Sequence, residues 1–434
     1  MPVHSDNQSP PQHISLRALD WLNFFMADVN TGIGPFLAIY LIATRHWNPA
    51  SVGMVVAAQG ISSVMAQGPA GWLVDWSQHK KRLIMSAAAI VALGCVGIVA
   101  AANEPAEILT QILIGVAAAL FPPTIAAISL GIVGKEKLSR RIGRNETFNH
   151  AGNVTFALMA GAAGTWLGQQ WIFYTSALVA AGTILSAHCI RSSDIDNQAA
   201  RAANEEPADG HTAAAVTFRE LLRNRSLWVF TTSVLLFHFA NAAMLPLVGE
   251  LLSKGKDGKS SMYMSACIIA AQFVMIPIAF LTGKLADPWG RKPLFMIGFG
   301  VLALRGLLYT FSAAPVYLLA VQSLDGVGAA IFGVLWVIII SDLAKGTGRF
   351  NLLQGVIQSA LGVGAFLSNF IAGFVVKSFG FNTAFLCLAV IACSGMLFFA
   401  LFMPETRGRR DQCYTDKLPG LAIAESVKGK GART

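Results

Sequence analysis

Apolar residues come in long runs along this chain, and polar residues gather between the runs. Each run exceeds the roughly 18–20 residues that a helix needs to cross a bilayer. The pattern predicts twelve spans, at 18–43, 50–75, 83–102, 106–133, 147–168, 171–190, 227–252, 261–286, 294–312, 315–341, 351–376 and 381–402. A closed barrel is the other way to cross a membrane, but it needs short alternating strands, and the sequence shows none. The polar stretch before the first span is too long for a cleaved apolar leader and lacks a clear small-residue cleavage site. No signal peptide is therefore expected.

Composition agrees with the pattern. Hydrophobic residues make up 54% of the 434 residues and charged residues 13%, against about 25% charged in a soluble domain. Mean hydropathy is +0.57. Too little polar surface exists to cover a globule of this size, so lipid is the expected solvent. The fold class predicted is an all-α integral membrane protein of twelve transmembrane helices.

Charge orients the spans. Of the 32 Lys and Arg residues, 25 fall on one side: Arg17, Lys80 to Arg82, the 134–145 loop, the 191–226 linker, Arg291, Lys292, Lys345, Arg349 and the tail after 403. Arg45, Lys254, Lys256, Lys259 and Lys377 fall on the other, and Lys284 and Arg305 lie within spans. The positive-inside rule puts both termini in the cytoplasm. It also accounts for the net charge of +9. Nucleic-acid binding would need a basic face on a soluble module, and none is visible. Five of the six cysteines sit in apolar spans, where small buried packing explains them. No CxxC or Cys/His spacing appears, so no metal and no cofactor are expected.

The chain also repeats itself. "GWLVDWSQHKKRL" (71–83) and "GKLADPWGRKPL" (283–294) both read Gly-x-Leu-x-Asp followed by a basic cluster, 212 residues apart. Asn30-x4-Pro35 returns as Asn241-x4-Pro246, "QILIGVAAALF" (111–121) as "QSLDGVGAAIF" (322–332), and Ala58-Gln59 as Ala271-Gln272. Gly143-Arg144 before the fifth span matches Gly348-Arg349 before the eleventh. Six spans are thus written twice in the same order and orientation, a pattern typical of secondary transporters. The expected organisation is a six-helix bundle over 1–190, a linker over 191–226, a second bundle over 227–403 and a tail over 404–434. The linker is polar and Ala-rich, so a mobile segment is expected. Within it Thr217-Phe-Arg-Glu220 offers a capping box for a short amphipathic helix on the inner membrane surface.

These features resemble the major facilitator superfamily over about residues 17–405. The second loop motif is the better match, with Gly283, Leu285, Asp287, Gly290, Arg291 and Lys292 in place. The first keeps Gly71, Leu73, Asp75 and Lys80, but has Gln78, Trp76 and His79 where the family usually carries Gly and Arg. The resemblance implies that the motifs form a cytoplasmic gate. The carboxylates of Asp75 and Asp287 would pair with loop cations or sit at a neighbouring helix N-terminus, and glycine would let helices approach closely. The alternative is that Lys80 to Arg82 merely set topology.

Ionisable residues inside spans cost about 2.5–3.5 kcal/mol each at mid-bilayer, so the few present are candidates. Asp28 leads: it lies near mid-depth of the first span, close to Asn30, and the family places that span along the central cavity. Desolvation there would suit a proton carrier, or the group could make a structural hydrogen bond. Asp325 is open between function and an ion pair with Arg305. His150 and His238 titrate near neutral pH in water, but lone helical histidines are more often core residues. Gln59, Gln67, Gln111, Gln272, Gln322, Asn149, Asn153, Gln354 and Gln358 form a polar set, from which Gln59 and Asn241 join the candidates for a cavity lining.

Two departures matter. The Arg-x-x-x-Gly of many proton-coupled members reads Gln111-x3-Gly115 here, and Thr165-Trp166 stands near the Gly-Pro position of the antiporter motif. Both weaken a drug:proton antiporter assignment. "PETRG" (404–408) resembles a sugar-porter end motif without the rest of that signature.

A secondary active transporter of a small organic solute is expected, proton-coupled and working by rocking of two halves. Efflux of a neutral, weakly basic or amphipathic compound is favoured, and uptake or exchange of a metabolite or organic anion is the alternative. A bacterial inner-membrane monomer is expected. No Walker A loop is present, and no nucleophile–base set suggests an enzyme. A membrane sensor would be expected to carry a longer soluble output domain than this linker or tail.

Overall fold

The computed structural model describes residues 10–31, 37, 40–41, 44–47, 49–101, 103–202, 224–253, 260–345 and 347–407. The capping box at Thr217–Glu220 and its short helix lie outside the described residues. The first bundle comprises α1 (Pro10–Thr31), α2 (Pro49–Trp76), α3 (Lys80–Ala100), α4 (Glu104–Ala118), α5 (Phe121–Val133), α6 (Leu138–Trp166) and α7 (Gln170–Cys189). The second comprises α8 (Arg225–Asn241), α9 (Met244–Ser253), α10 (Ser260–Trp289), α11 (Arg291–Leu308), α12 (Pro315–Ala344) and α13 (Phe350–Phe402). Among the described residues, seven helical segments are long and apolar enough to cross a membrane, and α13 with its 53 residues is long enough to cross twice. The fold is an all-α membrane protein of two pseudo-symmetric bundles.

Local chemistry explains the breaks. The fourth span divides at Ala119–Leu120, because Pro122 and Pro123 open α5 and donate no backbone hydrogen bond. Asn103 caps α4, its side chain accepting from the Ala106 N–H at 3.0 Å. Asn224 caps α8 in the same way. Spans eleven and twelve run through α13 as one helical segment, interrupted by Gly380 at φ +83°. Only glycine adopts that conformation without steric cost.

Several boundaries differ from the sequence pattern. α1 begins at Pro10 rather than residue 18, and α6 at Leu138 rather than 147. Both extensions are polar, and hydropathy stops where polarity begins, even when the polar residues pack inside protein. The linker also differs. Residues 192–202 are not free: they fold into two short 3-10 turns. The Asp196 N–H donates to the Gly131 carbonyl at 3.0 Å, and Ala200 is fully buried.

Two helix pairs make the largest contacts between the bundles, α2 on α13 and α10 on α6, and α12 on α6 and α13 on α5 add smaller ones. The core of the second bundle takes in Ala126, Leu130, Leu138 and Ile142 of the first. All four lie toward the end of the molecule where the basic loops gather, here termed the basic end. Large apolar side chains such as Leu93, Leu178, Phe379 and Leu401 remain exposed, as a lipid-facing surface requires.

Candidate functional site: the interface between the two bundles

The two loop motifs sit at the two interbundle crossings. Asp75 ends α2 and is buried. Its carboxylate lies on the first turn of α13. Oδ1 accepts from the Asn351 N–H at 3.1 Å and from Asn351 Nδ2 at 2.8 Å, and Oδ2 accepts from the Leu352 N–H at 2.8 Å. Free N–H groups at a helix start are satisfied this way, and the helix dipole favours the charge. Of the two roles the sequence left open for Asp75, the structure shows the helix-terminal one. Lys80 does not reach across: it is buried beside its own loop, donating to the Ser77 carbonyl at 2.8 Å and to Asn197 Oδ1 at 3.1 Å.

Asp287 ends the equivalent helix α10, with a looser set of contacts. Ser139 of α6 donates to it at 2.9 Å, and Arg291 pairs with it at 3.0 Å. Arg291 also binds Asp342 of α12 at 3.0 Å. Lys135 of the first bundle meets the same Asp342 at 3.3 Å, and Thr406 donates to it at 3.1 Å. Burial lowers the Lys135 pKa from its ordinary value, with Asp342 pulling the other way. Lys292 donates to the Ala400 carbonyl at 2.6 Å and stays within the second bundle.

Glycines set how closely the helices cross. A Cβ on Gly71 would overlap the Asn351 carbonyl oxygen, and one on Gly283 would come within 2.7 Å of the Gly143 Cα. Gly290 has φ +92°, and Glu405 lies against it. Glu405 caps α11, accepting from the backbone of Arg291 at 2.9 Å and Lys292 at 3.0 Å. Burial alone would raise the Glu405 pKa, but N–H donors from Arg407, Arg291, Lys292 and Thr406 hold it below the ordinary carboxylate value.

Above this closure lies a cavity of about 220 Å³ between the bundles. Ser63, Gln67, Pro122, Trp336, Gln354 and Gln358 help line it, and among the described residues the lining includes no charged side chain. Gln354 is buried, and its Oε1 finds no hydrogen-bond partner among the described residues.

The remaining candidates scatter. Asp28 and Asn30 lie on α1, but their side chains are outside the described residues. Gln59 packs its backbone against Gly115 inside the first bundle and is not part of the cavity lining. His238 donates to the Val234 carbonyl at 3.2 Å and packs edge-on against Phe332. Asn241 and Asp325 both meet the buried Arg305: Nη2 donates to Asn241 at 2.5 Å, and Nη1 pairs with Asp325. Tyr309 donates to Gln322, and Gln322 Nε2 donates to Asp325 at 3.1 Å. These residues form a network within the second bundle. His150 faces across the interface, with Nδ1 2.9 Å from Gln272 Oε1.

Sequence reasoning missed Asp20, which binds Arg141 at 2.5 Å and Arg144 at 2.6 Å and fastens α1 to α6. It also missed Asn351, Asp342 and Glu146. Each lies at or near a predicted span boundary, where a polar residue looks like an ordinary loop residue.

The family model of the Major Facilitator Superfamily matches residues 20–282 and again 260–425. An uncharacterized MFS-type transporter of Mycobacterium tuberculosis is 44% identical over 390 residues, covering 90% of this chain and 93% of the relative. Multidrug resistance protein D of Escherichia coli is 26% identical over 126 residues, 29% of this chain and 32% of that one. Among solved structures, the MFS proton:xylose symporter XylE, bound to 6-bromo-6-deoxy-D-glucose, superposes with a TM-score of 0.65 at 15% identity. The match covers 92% of this chain and 96% of that one.

Proposed function

This chain belongs to the major facilitator superfamily, and on that premise we propose that it is a proton-coupled exporter of a neutral, weakly basic or amphipathic small organic solute. The observation that carries the reading is the uncharged interbundle cavity with its unpartnered Gln354 Oε1. A buried acceptor without a partner is costly, and a solute donor that reaches it as the bundles part relieves that cost. An anion finds no cation among the described lining residues.

In this reading the basic end is cytoplasmic, and both termini lie in the cytoplasm of a bacterial inner-membrane monomer. The closed ends of α2, α6, α10 and α13 form the cytoplasmic gate. Asp75, Gly71, Asp287, Gly283, Gly290 and Arg291 act in it by holding the bundles together in one state and releasing them in the other. Rocking of rigid bundles about a central site is the movement such repeats support. Asp28 of α1 remains proposed as a proton carrier, with Asn30, and Asp325 as a group that titrates or stays paired with Arg305.

A thermal-shift screen of the purified protein tests this reading, with drugs, siderophores, sugars, amino acids and organic acids at pH 6 and pH 8. A ligand at 100 times its Kd stabilises by about 2.7 kcal/mol. Neutral or weakly basic hits whose strength changes with pH support the proposal. Hits confined to organic anions would overturn the neutral-solute reading and favour uptake or exchange of a metabolite.

A further inference from the structure

Glu146 and His150 sit one turn apart on α6, and both face the second bundle. His150 is 91% buried by surface area, with 9% exposed. Its Nδ1–H donates to Gln272 Oε1 of α10 at 2.9 Å. That leaves Nε2 as the lone-pair nitrogen, and Nε2 has no hydrogen-bond partner among the described residues. Glu146 Oε2 lies 3.9 Å from it. The Glu146 side chain is 27% exposed, and its carboxyl lies against Gly333 of α12, where a Cβ would come within 3.6 Å. The pair therefore belongs to one bundle and is covered by two helices of the other.

We propose that Glu146 and His150 form a proton-binding site whose occupancy controls whether the basic end closes, with Gln272 as the acceptor that registers closure. This deepens the proton-coupled reading above and rests on it. Taking up a proton adds one hydrogen at Nε2 or at the carboxylate, delivered from hydronium in the solvent at the partly exposed Glu146 side chain, with water left behind. With one proton the pair is neutral overall. With none it carries one negative charge, because His150 is then neutral, and closing the bundles over it buries that charge with no ion-pair cation among the described residues, which is unfavourable. Protonation thus favours closure, and rising pH favours opening.

Several of the other charged groups on the elements packed against α6 are engaged elsewhere. Asp20 of α1 binds Arg141 and Arg144. Asp287 of α10 binds Arg291, and Lys284 lies over the Phe280 ring. Asp325 and Asp342 of α12 bind Arg305 and Arg291. His188 ends α7 beside Lys81, which donates to its carbonyl, and α5 carries no charged residue. His13, Arg17 and Asp28 complete the α1 set, and Tyr263, Cys267, Tyr174, Cys189 and Tyr317 are the weaker titratable groups on α10, α7 and α12.

The test measures the distance between spin labels at Gln78 and Lys345, which are exposed at the basic end of opposite bundles. The full chain is used in lipid nanodiscs, in a background without native cysteines, from pH 5.5 to 8.5. The ratio of short to long distances should fall at least about fivefold in the unmodified pair as pH rises, as proton linkage requires. E146Q should stay short throughout. Q272A, which removes the acceptor from the other bundle and leaves the pair intact, should move the midpoint to lower pH. An E146Q profile that titrates like the parent, or a parent with no pH response, overturns the proposal. Solute flux is measured separately. A pH response without any flux would sink the transport reading and leave this site standing.

Discussion

The Asp75 carboxylate spans the interface between the bundles and ends on the Leu352 N–H, 2.8 Å away, in the first turn of α13. A residue of the first repeat thereby closes a helix start of the second. D75N keeps an acceptor but loses the charge, worth roughly 0.3–1 kcal/mol at a helix N-terminus and up to about 2 when partly buried. D75A leaves the N–H groups unmet and should cost more, about 1–3 kcal/mol. Both should raise the reactivity of a cysteine placed at Leu352 toward a water-soluble thiol reagent, with D75A the larger. Unchanged labelling would remove Asp75 from the latch.

Close approach gives a second expectation. G283A should force apart α6 and α10, because its Cβ would come within 2.7 Å of the Gly143 Cα. A Cβ on Gly161, also in α6, would meet nothing within 4 Å, so G161A serves as the control. The expected result is a lower Tm and an open basic end for G283A alone. Equal behaviour of the two variants would show that the crossing tolerates separation.

The ion pair of Arg305 and Asp325 supplies a third. Arg305 is 1% exposed. Removing one partner of a buried pair typically costs about 3–5 kcal/mol, while replacing both by apolar groups is often neutral. R305M and D325L should each lower the Tm sharply, and the double variant should recover much of the loss. If D325L alone abolishes solute-dependent flux with its Tm unchanged, the pair has a transport role that its geometry does not require.

The Glu405 clasp predicts a pH dependence. Its folded pKa lies below the ordinary value, so its contribution is fully present above the unfolded pKa and fades as pH falls through the folded one. The Tm difference between the parent and E405Q should be largest near pH 6–7 and shrink below about pH 4. A difference that grows on acidification would contradict the assignment of N–H donors to this carboxylate.

The repeat was legible in the sequence because Gly-x-Leu-x-Asp needs the same residues at both crossings: Gly71 and Gly283 for approach, Asp75 and Asp287 for the helix ends. Partners on the facing helices were hidden. Asn351 and Ser139 are common residue types at span ends, and only the fold brings them to the two carboxylates. Glu146 was hidden for a different reason. It lies one residue outside the predicted span, in a polar segment that hydropathy reads as loop and the fold makes helix. The Arg305–Asp325 pairing was readable as one possibility, since two opposite charges in neighbouring apolar spans have few other partners. Asn241 beside them was visible only as part of the repeat with Asn30.

The central claim is that the two bundles must separate at the basic end for solute to move. Ser139 and Asp287 touch across that end at 2.9 Å, so a cysteine pair at these positions offers a reversible lock. The measurement is solute-dependent proton flux in proteoliposomes carrying S139C and D287C without the native cysteines, with a hit from the thermal screen as solute. Flux that stops on oxidation and returns on reduction is the predicted result. Flux that continues through the oxidised, cross-linked protein would show that solute passes without the bundles separating at this end.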